Sequence, residues 1–319
     1  MPELPEVQTT VNGINSEVKN LTITDVWTDY NSLFHANKQN IKNPEYFGQF
    51  KKDVVGAKIL KASRKGKNVL IHLSPSKYSK NENIVLIHMK MTGHLMHGKY
   101  VFTPSSARKA GATAGTWEPE AVSGPLRDPY NKFLHLVFSL SDGKHLVFSD
   151  LRKFAKVLVY KTKDEHLVSD LAKLGPDPLS PEFTYKVFKE RILKRPTGKI
   201  KQVLLDQQLI SGIGNIYSDE ILFEAGVHPE SHPNKIPEKL LKKMHVASIK
   251  ILKKGIDFGG DSDSDYRNIH GERGAFQNKH HAYRHTGEKC SRRDGGTIER
   301  KMIGGRSGHF CPVHQIKYS

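Results

Sequence analysis

Between Leu21 and Tyr160 the apolar residues fall in short runs separated by turn-forming residues, a texture that predicts strands. The runs are LTITDVWT (21–28), VVGAKILKAS (54–63), NVLIHLS (68–74), IVLIHMKM (84–91), FLHLVFSL (133–140), KHLVFSD (144–150) and KVLVYKT (156–162). They are rich in β-branched residues and broken by turns such as SDGK. Before them, residues 5–17 place Val7, Val11 and Ile14 on one helical face. Many short strands without intervening helices argue for a β-sandwich or barrel, here preceded by a helix. Residues 103–130, with their Ala, Gly, Ser and Pro, interrupt the pattern and predict a long surface loop.

A Pro-rich stretch, LGPDPLSPEF (174–183), marks the change to helical periodicity. Helices are expected within 185–194, 198–209, 215–226 and 236–256, and an irregular, Gly-rich segment at 259–289. The last 30 residues suit a small β-hairpin module. The predicted class is α+β multidomain. Its parts are a β-sandwich domain over 1–165, a linker over 166–183, a helical domain over 184–284 and a finger over 285–319.

Charge narrows the partner. Fifty Lys and Arg oppose 33 Asp and Glu, a formal net charge of +17, which favours a polyanion. No apolar run approaches the ~18 residues of a membrane span, and the N-terminus lacks the apolar core of a signal peptide. Nucleic acid is therefore favoured over a membrane surface. Only Cys290 and Cys311 are present, so a disulfide framework is excluded and a reducing cytoplasm is expected.

Candidate chemistry begins at Met1-Pro2-Glu3-Leu4-Pro5-Glu6. Trimming of Met1 would leave Pro2 a secondary amine with a pKa of ~8, able to attack an aldehyde-level carbon. Glu3 and Glu6 stand beside it as proton carriers, although Pro and Glu also suit a helix's first turn. Lys67 lies at a strand edge in SRKGKNVL. Met91 lies in HMKMTGHL, with His88, Lys90 and His94 around an apolar tip, and Arg152 and Phe154 lie in SDLRKF. Apolar wedges and arginines of this kind open base steps. Gly212-Ile213-Gly214-Asn215 precedes a helix, where exposed N–H groups bind phosphate, and Lys199 and Lys201 lie upstream. Cys290 and Cys311-Pro-Val-His314 look like two halves of a metal finger, with Asp294, His309 and His285 as candidates to complete it.

Together PELPEV, RKGKNVL, HMKMTGHL, DLRKF, LGPDPL, GIGNIYSDEILFEAGVHP and the finger resemble the formamidopyrimidine-DNA glycosylase family, which shares a superfamily with endonuclease VIII. The resemblance spans nearly the whole chain. It implies a monomeric glycosylase and lyase of base excision repair that acts on oxidised purines in double-stranded damaged DNA. Pro2 resembles the Schiff-base nucleophile, Glu3 the acid that protonates the sugar ring oxygen, and Glu6 a second carboxylate. Lys67 matches a hairpin lysine on the phosphate beside the lesion, and Met91, Arg152 and Phe154 match the void-filling trio. Lys201 and Asn215 match phosphate ligands of a helix–two-turn–helix, and Arg306 matches the finger's arginine. One zinc per chain is implied, held by Cys290, Cys311 and two departures from the family's cysteines, Asp294 and His314. An endonuclease VIII-like enzyme for oxidised pyrimidines and a non-catalytic damage-binding protein are the competing readings. The trio favours the formamidopyrimidine branch over the first, and retention of Pro2, Glu3 and Lys67 argues against the second.

Overall fold

The computed structural model describes residues 1–30, 32–104 and 115–319. Its elements in chain order are α1 (Leu4–Glu17), β1 (Ile23–Thr28), α2 (Pro44–Val54), β2 (Ile59–Lys65), β3 (Asn68–Leu73) and β4 (Asn83–His88). Next come β5 (His94–Gly98), β6 (Tyr100–Pro104), β7 (Gly115–Pro119), β8 (Leu134–Leu140), β9 (His145–Ser149) and β10 (Lys156–Lys161). Then follow α3 (Ser169–Ala172), α4 (Tyr185–Ile192), α5 (Ile200–Leu205), α6 (Asn215–Ala225), α7 (Glu238–Asp257), β11 (Glu299–Ile303) and β12 (Arg306–Phe310). They belong to two units. The first holds Met1–Pro2, Glu6–Val168 and Gly259–Gly274; the second holds Glu3–Pro5, Ser169–Phe258 and Ala275–Ser319.

In the first unit two antiparallel four-stranded sheets, ordered β1-β8-β9-β5 and β10-β4-β3-β2, share one apolar core. Strand alternation sends Val26, Phe138 and Phe148 inward, while Trp27, Val137 and Val147 line the opposite face. Val7, Val11 and Ile14 of α1 enter the same core, as their spacing predicts. This is the expected β-sandwich with an N-terminal helix.

Three local readings change. A helix, α2, interrupts the strands: the Asn43 side chain accepts from Glu45 N, Pro44 opens the first turn, and Phe50 and Val54 reach the core. Strand β5 was not expected at all. Of 103–130, residues 103–104 and 115–119 are strand rather than loop, residues 120–130 are exposed turns as expected, and residues 105–114 lie outside the described residues. β6 pairs with β7, and Phe102 and Trp117 pack tilted and edge-on against Trp27, covering the outward face of the sheet. The physical reason is the alternation itself: β8 and β9 are apolar on both sides, so their second face needs a cover.

Residues 259–274 lack regular structure but are firmly tied to the first unit. Tyr266 donates to the Glu6 carbonyl at 3.0 Å, Ile269 joins the core, and Arg267 forks onto both oxygens of Asp128 at 3.0 Å.

The second unit gathers α4–α7 around its own apolar cluster. α5 and α6 are joined by the two turns of residues 206–214, a helix–two-turn–helix. Among the described residues no helix is long and apolar enough to cross a membrane.

His94 is wholly buried on β5, with Nε2 2.9 Å from Asn131 Oδ1. Burial pushes its pKa down to about 4. Below pH ~6.5 the unfolded chain takes up the proton first. Stability is therefore full above pH ~6.5 and falls as pH drops towards 4, by about 3 kcal/mol at most. Urea titrations between pH 7 and pH 4 should show a shallower decline for His94→Gln than for the parent chain.

Candidate functional site

The N-terminal groups divide between the units along one continuous chain. Pro2 is buried and precedes the helix, which begins at Leu4. Glu3, 2 % exposed, presents its carboxylate to the N-terminus of α6, where Oε1 accepts from Ile216 N at 3.0 Å and Oε2 from Tyr217 N at 3.4 Å. Those N–H groups have no partner inside the helix, and the helix dipole favours a negative charge there. Gly214, immediately before the helix, makes the approach possible, because a Cβ at that position would collide with the Glu3 carboxylate. Leu4 N donates to Gly212 O at 3.0 Å, fixing the backbone on either side. Glu6 is equally buried, and its Oε1 accepts from Asp261 N at 2.8 Å within the first unit.

Lys67 occupies the two-residue turn between β2 and β3, yet it is only 7 % exposed. It is no solvated surface lysine. His88 ends β4 half-buried, its Nδ1 accepting from Lys90 N.

Met91, Arg152 and Phe154 come from two loops that one carboxylate joins. Asp150 is fully buried and accepts from Thr92 Oγ1 at 2.5 Å, from Tyr30 Oη at 2.9 Å and from Ala155 N at 2.9 Å. Thr92 Oγ1 in turn accepts from Arg152 N at 3.1 Å. The loops of 89–93 and 150–155 are therefore one construction. From it the Phe154 ring projects half exposed, with the Arg152 guanidinium 4.7 Å from its centroid. Sequence reasoning missed Asp150, Thr92 and Tyr30; the acid in SDLRKF was the available signal.

In the second unit Lys199 caps the start of α5 and reaches Glu230 Oε1 at 2.6 Å. Glu230 also takes Lys301 at 2.7 Å, and these lysine hydrogen bonds hold its pKa down to about 2. Asn215 is the first residue of α6, and its Oδ1 has no partner among the described residues. Lys201 corrects the expectation of a phosphate ligand. Its ammonium is completely buried and paired with Asp219 Oδ1 at 2.5 Å, so it is not presented to a phosphate. Arg306, by contrast, stands exposed at the start of β12. It follows Gly304 and Gly305, whose φ values of 57° and 77° form the tight turn from β11.

In the finger, Cys290 Sγ lies 3.3 Å from Asp294 Oδ2, and Cys311 Sγ lies 3.7 Å from both Asp294 oxygens. Burial pushes the Cys290 thiol up to about 12. These three donors could hold a metal ion, and two sulfurs with a carboxylate suit zinc. His314 stands outside that group because its Nε2 is 2.7 Å from the Phe223 carbonyl, a contact that occupies the nitrogen. His309 bonds Asp219 and His285 bonds Glu288, so neither completes the group.

The formamidopyrimidine-DNA glycosylase N-terminal domain matches residues 1–157, and the H2TH domain of the same enzymes matches residues 174–267. The formamidopyrimidine-DNA glycosylase of Bacillus subtilis is 34% identical over 318 residues, covering 99% of this chain and 100% of the relative. That of Ligilactobacillus salivarius is 35% identical over 317 residues, covering 99% of each. The Lactococcus lactis Fpg, solved with DNA containing an abasic site, superposes with a TM-score of 0.77 at 30% identity, covering 99% of this chain and 100% of that one. MutM solved with DNA containing carbocyclic 8-oxo-G gives the same TM-score, identity and coverage. The fold is that of a base-excision DNA glycosylase with a helix–two-turn–helix. The chain belongs to the formamidopyrimidine-DNA glycosylase family.

Gly214→Ala should force the Glu3 carboxylate off the α6 terminus and leave Ile216 N unsatisfied. We expect a loss of about 1–3 kcal/mol in urea unfolding, with the far-UV circular dichroism of the folded state unchanged.

Proposed function

We propose that this protein removes oxidised purines such as 8-oxoguanine and formamidopyrimidines from double-stranded DNA, then cleaves the resulting abasic site. The single observation that carries the reading is Glu3: a buried carboxylate held on a helix terminus, one residue from Pro2. Removal of Met1 makes Pro2 a secondary amine. Its nitrogen lone pair attacks the sugar's anomeric carbon, and the bond from that carbon to the damaged base breaks. Glu3 delivers a proton to the ring oxygen as the ring opens, leaving an iminium between Pro2 and the sugar. Elimination from this adduct expels first the 3′ and then the 5′ phosphate, and water releases Pro2.

Other residues serve binding. Glu6 is the second carboxylate of the site, and Lys67 contacts the phosphate beside the lesion. Phe154, Arg152 and Met91 fill the space left by the extruded nucleotide, which spares part of the few kcal/mol that unstacking costs. Exposed Phe154 under an arginine, on a loop braced by Asp150, suits that work. His88, Lys199, Asn215 and Arg306 supply phosphate contacts, and the net charge of +17 adds affinity through counterion release. The division of labour proposed from the sequence is 1–165 for chemistry, 166–183 as linker, 184–284 for grip and 285–319 for the finger, except that residues 259–274 belong with the first unit. The protein acts as a monomer in a bacterial-type cytoplasm, where two unpaired thiols are stable. One zinc per chain, on Cys290, Asp294 and Cys311, would brace the finger, His314 joining only if its ring leaves Phe223.

Borohydride added during turnover on an 8-oxoguanine duplex should trap a covalent adduct at residue 2. An adduct at Lys67, or efficient trapping by chains that keep Met1, would overturn the nucleophile. Glu3→Gln should lower base excision by at least roughly 100-fold while changing the DNA dissociation constant little.

Phe154→Ala should slow excision from duplex DNA and leave cleavage of an abasic single strand nearly unchanged. Equal loss on both substrates would make Phe154 a packing residue. Zinc content of the purified protein near zero after supplementation would leave the finger without metal.

A further inference from the structure

The Arg306 hairpin is held from beneath by a buried chain of groups, none of which needs to meet DNA. Lys201 Nζ pairs with Asp219 Oδ1 at 2.5 Å, and also donates to Ser218 Oγ at 3.1 Å and to the Asn215 carbonyl at 3.4 Å. The other carboxylate oxygen, Asp219 Oδ2, accepts from His309 twice: from the backbone N at 3.0 Å and from ring Nδ1 at 3.0 Å. Lys201 and Asp219 are at most 1 % exposed and His309 is 5 % exposed. The aliphatic stem of Lys201 runs directly under Gly308: a Cβ there would lie 3.3 Å from Lys201 Cδ. One residue on, Gln202 lies so close to Gly304 that a Cβ at the hairpin turn would strike it.

These contacts connect two groups to which the proposed function assigns phosphates, Asn215 on α6 and Arg306 on β12. We infer that Lys201, Asp219 and His309 are positioning residues that set the spacing between Asn215 and Arg306, so that both reach the backbone of one DNA strand together. The inference rests on that reading of Asn215 and Arg306. Its physical basis is preorganisation. A carboxylate buried this completely cannot lose its donors cheaply, so the two His309 bonds to Asp219 hold β12 on α6, while Lys201 balances the charge. A two-stranded hairpin alone is marginal and would otherwise sample many positions. Holding it in place before binding spares the ordering cost at the moment of binding.

The experiment is a mutant cycle read by DNA affinity on a damaged duplex. His309→Ala should weaken binding roughly tenfold, the scale of one lost charge-assisted phosphate contact. His309→Asn should restore most of it, because the Asn amide donor replaces Nδ1. The decisive measurement is the combination with Arg306→Ala. If His309 acts through Arg306, the double variant binds no worse than Arg306→Ala alone. Losses that multiply mean that His309 does not act through Arg306, and overturn the inference. Normal affinity of a folded His309→Ala protein also overturns it. Asp219→Asn provides an independent arm with the same expectation. If it unfolds, the His309 pair decides. An unaffected Arg306→Ala protein would instead strike the hairpin's phosphate role in the proposed function, and the inference would fall with it.

Discussion

A helix that buries carboxylates must find partners for them, and α6 is such a helix. Ser218, Asp219 and Glu220 are all at most 1 % exposed. An unpaired buried carboxylate would cost several kcal/mol, so the surrounding chain is arranged to answer each one. Asp219 is answered by Lys201 of α5 and by His309 of β12. Glu220 takes three backbone N–H groups in succession, from His281, Ala282 and Tyr283. The helix's own N-terminal donors are answered by Glu3. The acid proposed for catalysis, the turn before α6 and the Arg306 hairpin are thus fixed to one buried rod.

The first unit uses the same principle on a smaller scale. Asp150 collects two hydroxyls and a backbone amide, and so fixes two loops whose tips are half exposed. The tips can offer an aromatic and a guanidinium to a partner because the loop bases do not move independently. In both units the groups proposed to touch DNA lie outside, and a fully satisfied buried carboxylate lies one layer beneath them.

The sandwich was legible because β-branched runs of strand length leave little alternative. The helical unit was legible because its apolar spacing and its Gly-x-Gly turn are local signals. Helix α2 was not recognised although Asn43-Pro44-Glu45 spells a helix start, because Gly48 dilutes the pattern and the neighbouring segments read as strands. Lys201 was assigned to phosphate because a lysine beside a helix–two-turn–helix has that prior. Its partner Asp219 lies 18 residues away and Asp219's other partner, His309, a further 90, distances across which no periodicity carries information. His309 was weighed only as a metal ligand, since a histidine two positions before a cysteine invites that reading. Such long-range pairings decide what a charged side chain does, and they are set by the fold.

The finger shares an apolar kernel with α6, in which Phe223 of that helix, Ala282 and Ile298 enclose Cys290 and Cys311. Together with the carboxylate beneath β12, it gives the hairpin two anchors that involve no metal. Such redundancy alters what selection can see. Where an ion is the sole brace, loss of a single thiolate unfolds the arm and the lineage ends there. Where packing and a buried ion pair already hold it, the donor set is free to drift, and a cysteine can give way to Asp294 while the arginine at the tip keeps its place.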